Sequence, residues 1–219
     1  TKKGMNRFIW NMRVADLTKV PKLFTSGSPA GYRVGPGNYT AIINLGKKNS
    51  ETSFKIAPDP RNDLTTRYDR QQDMLEELYD TTNDLYGSVK SLRSIRGQLQ
   101  GITKNIKGMD DTEKLVEAGK AAVKALSDWE ESVVSLKLET YQDVVNFDSG
   151  LDADLKELMS KIDGSGPVVS EGSKDRFDDL MKQWKEKQSE YNALVSDQVG
   201  QFNRLYRDMD IPAVIIKED

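Results

Sequence analysis

The sequence contains no cysteine and no histidine among its 219 residues. Without cysteine there is neither a disulfide framework nor a thiolate nucleophile. Without histidine the commonest general base and the commonest transition-metal ligand are gone as well. Long apolar runs are also lacking. None approaches the ~20 residues of a membrane span, so no membrane-crossing segment is expected. Thr1-Lys2-Lys3-Gly4 has no apolar stretch of the kind a signal peptide needs. Excess positive charge is missing too: the net charge is -3. The counterion-release term that drives nucleic-acid binding would be weak, and no nucleic-acid partner is expected.

What is present is charge of both signs, 31% of the chain against 37% hydrophobic residues. That balance suits a large helical surface whose polar stripes face water. The length allows one large domain or two small ones.

Residues 1–60 have strand character. Phe8, Ile9, Trp10, Asn11 and Met12 alternate imperfectly between apolar and polar. Tyr39, Ala41, Ile43 and Leu45 share one face of a second strand, Thr40 and Asn44 the other, and Ile42 departs from the pattern. A turn at residues 46–49 leads into Thr52, Ser53, Phe54, Lys55 and Ile56, completing a β-hairpin signal. Pro58 and Pro60 end it. Residues 25–31 read as a loop and Gly35-Pro36-Gly37 as a tight turn.

From about Asn62 the period changes. Leu64, Tyr68, Leu75, Leu78, Leu85, Val89, Leu92, Leu99 and Ile106 form a near-heptad stripe, with Gln71 and Thr82 at weaker positions. This predicts one helix to about Lys107, roughly 60 Å long, weakened at Gly87, Gly97 and Gly101 and stopped at Gly108. Asp110 and Glu113 read as a capping box for a second helix. Its seam is Ala122, Leu126, Trp129, Val133 and Leu136. A break at residues 146–150 precedes a short helix over 151–162. The last helix, over 173–208, carries Phe177, Leu180, Met181, Trp184, Tyr191, Val195, Phe202 and Leu205, and residues 211–216 read as an extended tail. Long amphipathic helices on short loops fold back as antiparallel neighbours. The predicted class is α+β, mainly α: a small antiparallel β-sandwich-like module over residues 1–60, then an elongated antiparallel helical bundle over 61–219.

Few residues invite chemistry. Gly31, Gly35 and Gly37 precede a strand, whereas a dinucleotide fingerprint runs strand, glycines, helix. Asp148, Asp152 and Asp154 cluster, but a calcium loop starting at Asp148 would put Gly and Glu where Ala153 and Met159 stand. Negative charge at a helix start explains them better. The pairs Glu76-Glu77, Glu130-Glu131 and Asp178-Asp179 point about 100° apart on their helices and read as solvated faces. Trp129 and Trp184 fall on apolar seams, and Trp10 either fills the small sheet or meets a neighbouring domain. Tyr79 and Tyr86 sit a heptad apart beside the seam of the long helix, as edge packing or as a second contact surface. No catalytic residue, cofactor or metal ligand is assigned.

Taken in order, these segments resemble the C-terminal region of bacterial sortilin-like β-propeller proteins with Asp-box (BNR) repeats, often labelled glycosyl hydrolases. Asn6, Arg7 and Trp10 match one strand, Pro36, Gly37, Tyr39 and Thr40 a second, and Asp59, Pro60 and Arg61 the exit. Gln142, Asp143, Asn146 and Phe147 match an element of the helical region, and Asn203, Leu205 and Pro212 approximate its end, with Leu205 one position early. The Asp-box itself, Ser-x-Asp-x-Gly-x-x-Thr-Trp, does not occur. The resemblance implies an immunoglobulin-like β-module and a bundle that follow a β-propeller in the same secreted or periplasmic polypeptide. The propeller would be the partner, with Trp10 and Tyr39 as candidate interdomain contacts, and the helical face could take a further protein. The function implied is a non-catalytic accessory and interaction region. The alternatives are a carbohydrate-active hydrolase using an Asp/Glu pair and a helical scaffold that self-associates through its heptad seam.

Overall fold

The computed structural model describes residues 3–61 and 65–212. The expected helix start at Asn62 and Leu64, and residues 213–216 of the tail, lie outside the described residues. The fold is α+β and mainly α. Strands β1 (Gly37–Leu45) and β2 (Lys48–Ile56) precede helices α1 (Thr65–Ile106), α2 (Glu113–Val133), α3 (Leu151–Gly164), α4 (Glu171–Leu194) and α5 (Gly200–Asp208).

The stripe on α1 is the spine of the molecule. Leu75, Leu78, Leu85, Val89, Leu92, Leu99 and Ile106 are all buried. The two polar residues on that stripe are buried with partners. Gln71 Nε2 donates to the Ile162 and Gly166 carbonyls at 2.8 and 2.7 Å, and Thr82 Oγ1 donates to the Leu78 carbonyl at 2.7 Å. A buried amide or hydroxyl is tolerable only on such terms. Helices α2, α3 and α4 pack against α1, and α5 against α2. The three α1 glycines 87, 97 and 101 have open space where a Cβ would stand, so no close approach requires them.

The ends of α2 differ from the sequence reading. Thr112, not Asp110, immediately precedes α2, and its hydroxyl donates back to the Ile106 and Met109 carbonyls at 3.0 and 2.8 Å. The capping box is therefore absent, because Thr112 closes the end of α1 instead. Helix α2 also ends at Val133, leaving Leu136 exposed in the loop beyond it. The final helical run is continuous in space but contains a π-helical turn at Val195–Val199 between α4 and α5. Ile211 is half-buried against the core.

The β-rich start is thinner than a sandwich. Among the described residues the sheet has two strands, β1 and β2, paired antiparallel with Leu45 opposite Lys48. The loop is Gly46-Lys47, with φ +59° at Gly46, a two-residue turn in which glycine takes the position that needs positive φ. Residues 8–12 form no strand; only an isolated bridge joins Arg13 to Arg33.

Residues 13–35 instead form a strap that doubles back and lies on the bundle. Val14 N–H donates to the Tyr32 carbonyl, Val34 N–H to Met12, and Leu17 N–H to Pro29. Gly31 is required where the two arms close, since a Cβ there would stand 2.3 Å from the Ala15 carbonyl oxygen. Leu17, Val20 and Tyr32 join the core cluster of the helices. Side chains of α1 and α3 pin the strap backbone. Asn83 accepts from Thr18 N–H and Gln72 from Gly35 N–H, each at 2.9 Å, and Asp163 accepts from Arg33 N–H at 2.9 Å.

Candidate functional site

The two aromatic residues singled out from the sequence come together at the base of the hairpin. Trp10 lies 5.8 Å from Tyr39 and 6.1 Å from Phe54, ring centre to ring centre, and Tyr39 stacks on Phe54 at 5.9 Å. Tyr39 and Phe54 are directly opposite in the strand register, and cross-strand aromatic pairs of this kind stabilise a ribbon. Trp10 Nε1 donates to the Arg13 carbonyl at 2.9 Å and Tyr39 Oη to the Gly35 carbonyl at 2.6 Å. Both residues thus have partners within the chain. The outward apolar surface is carried by others: Ile43 is 70% exposed and Phe8 88%, with Met5, Ile9, Ile42 and Leu45 similarly open. Among the described residues no helix backbone lies against either strand.

A second locus is buried. Asp152 and Lys156 on α3 are each only 2% exposed. Tyr86 Oη, from α1, donates to Asp152 Oδ2 at 2.9 Å. Lys156 Nζ stands 3.6 Å from the same oxygen and 5.8 Å from the centre of the Tyr86 ring. The ammonium is close enough to feel the carboxylate and the ring face. It has no hydrogen-bond partner within reach among the described residues. Burial raises the Asp152 carboxyl, opposed by Lys156 and Tyr86. Burial also lowers Lys156, opposed by Asp152, and raises the Tyr86 phenol, with the Asp152 charge adding to the effect. Desolvation penalises each charged form and outweighs the mutual attraction.

The strap covers this cluster. Gly27 lies against the Lys156 stem, with φ +86°. Leu17, Val20, Leu23, Phe24 and Pro29 from the strap, with Tyr86, Tyr141 and Lys156, line a cavity of about 290 Å³. Tyr86 and Tyr79 are strap contacts, since Tyr79 meets the Tyr32 ring edge-on at 5.7 Å. Burial, with Glu76 and Asp80 nearby, pushes the Tyr32 phenol up to about 12.

Asp152 and Asp154 stand in the first turn of α3, where negative charge is favoured, and each also has a partner elsewhere. Gly150, with φ +89°, precedes α3, and no side chain caps it. Asp152 turns inward as described, Asp154 pairs with Arg176 on α4 at 2.8 Å, and Asp148 lines an open cavity of about 510 Å³ beyond α2. Trp129 and Trp184 are core residues, and Trp129 Nε1 donates to the Lys187 carbonyl at 2.8 Å. Among the described residues no group of three acidic side chains could hold a metal ion, and no helix is long and apolar enough to cross a membrane. Glu130, fully buried, sits between Arg93 Nε at 2.5 Å and Arg96 Nη1 at 2.8 Å, and Arg93 also donates to the Pro21 carbonyl at 2.6 Å. That network ties α1, α2 and the strap together. No protein-family model, curated protein or solved structure matches this chain.

Proposed function

We propose that this chain is a non-catalytic accessory region that works by contact, in which the hairpin docks against a preceding β-propeller domain of the same secreted or periplasmic polypeptide. The observation that carries this reading is the apolar hairpin. Exposed apolar side chains gathered on one element mark a contact surface more often than singly scattered ones do; Ile43 and Leu45 on one face of β1 and Ile42 on the other are all exposed, and among the described residues no helix backbone lies against the hairpin. The strap fixes the hairpin's base to the bundle, so a docked domain would be held rigidly. The sequence resemblance supplies the identity of the docked domain.

The two rivals find less support in the geometry. A glycoside hydrolase needs two carboxyl groups about 5–10 Å apart facing one cleft. The enclosed carboxylates Asp152, Glu130 and Asp163 each face a cation instead. A seam-mediated dimer would need the α1 stripe, which is already spent inside the bundle. Ile43→Lys tests the proposal, because it places a charge in the patch without touching the core. It is expected to weaken binding to the separately expressed propeller domain by more than tenfold in a titration; unchanged affinity would overturn the docking assignment.

A further inference from the structure

We propose that the outer edge of β1 pairs with the same edge of a second copy of this chain, joining two hairpins into one four-stranded antiparallel sheet. The docking proposed above would use the faces of the hairpin; this contact uses its edge and is independent of it. Among the described residues β1 is paired with β2 alone, and no helix lies against either strand. A two-stranded ribbon is marginal in water, and independent stability takes three or more strands or a helix packed beneath.

The turn fixes which backbone groups are free. Across a two-residue turn the closing pair, Leu45 and Lys48, exchanges hydrogen bonds. Alternation then makes Ile43–Ser50, Ala41–Thr52 and Tyr39–Phe54 hydrogen-bonded pairs as well. Asn38, Thr40, Ile42 and Asn44 fall between them, so their N–H and C=O groups point away from β2. Their partners Lys55, Ser53, Glu51 and Asn49 point outward along the other edge in the same way. Among the described residues no backbone hydrogen bond from outside the hairpin reaches either row.

The two edges are guarded differently. Folded proteins protect a free edge with charge, proline or a bulge. Strand β2 carries Lys48, Glu51 and Lys55. Strand β1 has no charge and no proline over its 9 residues, and no bulge interrupts its register. The unguarded edge is the one available for pairing.

Strand β1 is also complementary to itself. A two-fold axis at Ala41, perpendicular to the sheet, sets Thr40 of each copy opposite Ile42 of the other, and Asn38 opposite Asn44. These are the residues whose backbone groups are free, so the two rows satisfy one another. On one face Tyr39 meets Ile43 of the other copy, an aromatic ring against a β-branched side chain, and no like charges face each other. The turn of each hairpin ends level with Pro36 of the other, and the two bundles stand at opposite ends of the sheet. The contact is isologous and closes at two copies. Both edges left outside are β2 edges with their charges, so the sheet does not grow further.

The chain has no cysteine, so a single introduced one reports the contact. Ala41 lies on the axis, and facing Cα atoms in a non-hydrogen-bonded pair stand about 4.5 Å apart, within disulfide reach. Ala41→Cys, in the full chain and a glutathione redox buffer, is expected to form a disulfide-linked dimer at least tenfold faster than Thr52→Cys. Thr52 is the partner of Ala41 on β2 and is also exposed. Equal rates would overturn the proposal. Ile42→Pro, added to Ala41→Cys, removes an outward N–H and spares the β1–β2 ladder. It is expected to slow the cross-link at least tenfold. Glu51→Pro, the same change directly across on β2, is expected to leave the rate unchanged. An undiminished rate with Ile42→Pro, or an equal loss from both prolines, would remove the β1 edge from the assignment. No propeller is present in this measurement, so neither result bears on the docking of one.

Discussion

Asp152 and Lys156 show how little a local pattern says about burial. Four residues apart on a helix, an acid and a lysine ordinarily form a surface pair worth a few tenths of a kcal/mol. Here the strap and α1 close over them, so the pair sits where ionisation is expensive. Their pKa directions set the pH dependence. The Asp152 carboxyl is raised above its unfolded value, so between the two values the native state holds more protons and stability falls as pH rises. Lys156 is lowered below its unfolded value, so in its own window the unfolded state holds more protons and stability rises with pH. The double variant D152N/K156M removes both effects and keeps an acceptor for Tyr86. Wild type minus variant, measured by urea unfolding across pH, is expected to pass through a trough near neutrality and to rise toward acid and alkali. Near neutrality the variant should be equal to wild type or more stable by up to about 4 kcal/mol. A maximum at neutrality would mean that the ion pair is net stabilising and the reading of its burial is wrong. One signal for the site was available: Asp152, Lys156, Met159 and Asp163 fall at helical spacing on one face of α3. What could not be read was the cover, because the strap meets α3 from some 130 positions away, as in the Arg33–Asp163 contact.

At the scale of elements, the glycines separate packing from propensity. Gly119 on α2 faces Thr103 and Phe202, and a Cβ there would come within 2.2 Å of the first and 2.9 Å of the second. Thr103 is held by bonds to the Leu99 and Gln100 carbonyls, and Phe202 is buried. Gly119→Ala is therefore expected to destabilise by about 1–3 kcal/mol through overpacking. Gly97→Ala, facing open space on α1, should stabilise by about 0.5–1 kcal/mol. Chemical denaturation of the two variants checks the pair, and equal effects would contradict the packing described. The long helix was legible because its apolar stripe repeats over six heptads' worth of chain and dominates any local exception. Residues 8–12 misled for the opposite reason. Their alternation is local, and a strand needs a partner that the sequence cannot name; the residues that would pair with it, near Arg33, are taken up in the strap. The hairpin was readable because its turn chemistry is local, with glycine at the position that needs it.

At the scale of the whole molecule, the bundle and the hairpin are held together by different means. The bundle and strap share a continuous core and tie their buried charges to one another, through Glu130 with Arg93 and Arg96 and through Asp163 with Arg13. The hairpin is held at its base by Trp10, Tyr39 and Phe54, and its Ile42, Ile43 and Leu45 side chains are exposed. Trp10→Ala should loosen that base without unfolding the bundle, because Trp10 is not part of the helical core. Hydrogen exchange is expected to accelerate in β1 and β2 while α1 stays protected; uniform acceleration would mean that hairpin and bundle form one cooperative unit. The central claim is that the exposed hairpin belongs against another domain of the same polypeptide. It is tested most directly by the mass of the native protein in its own cells, detected with an antibody raised to this chain. A band far above 24.7 kDa is expected, and a band at that mass would contradict the account.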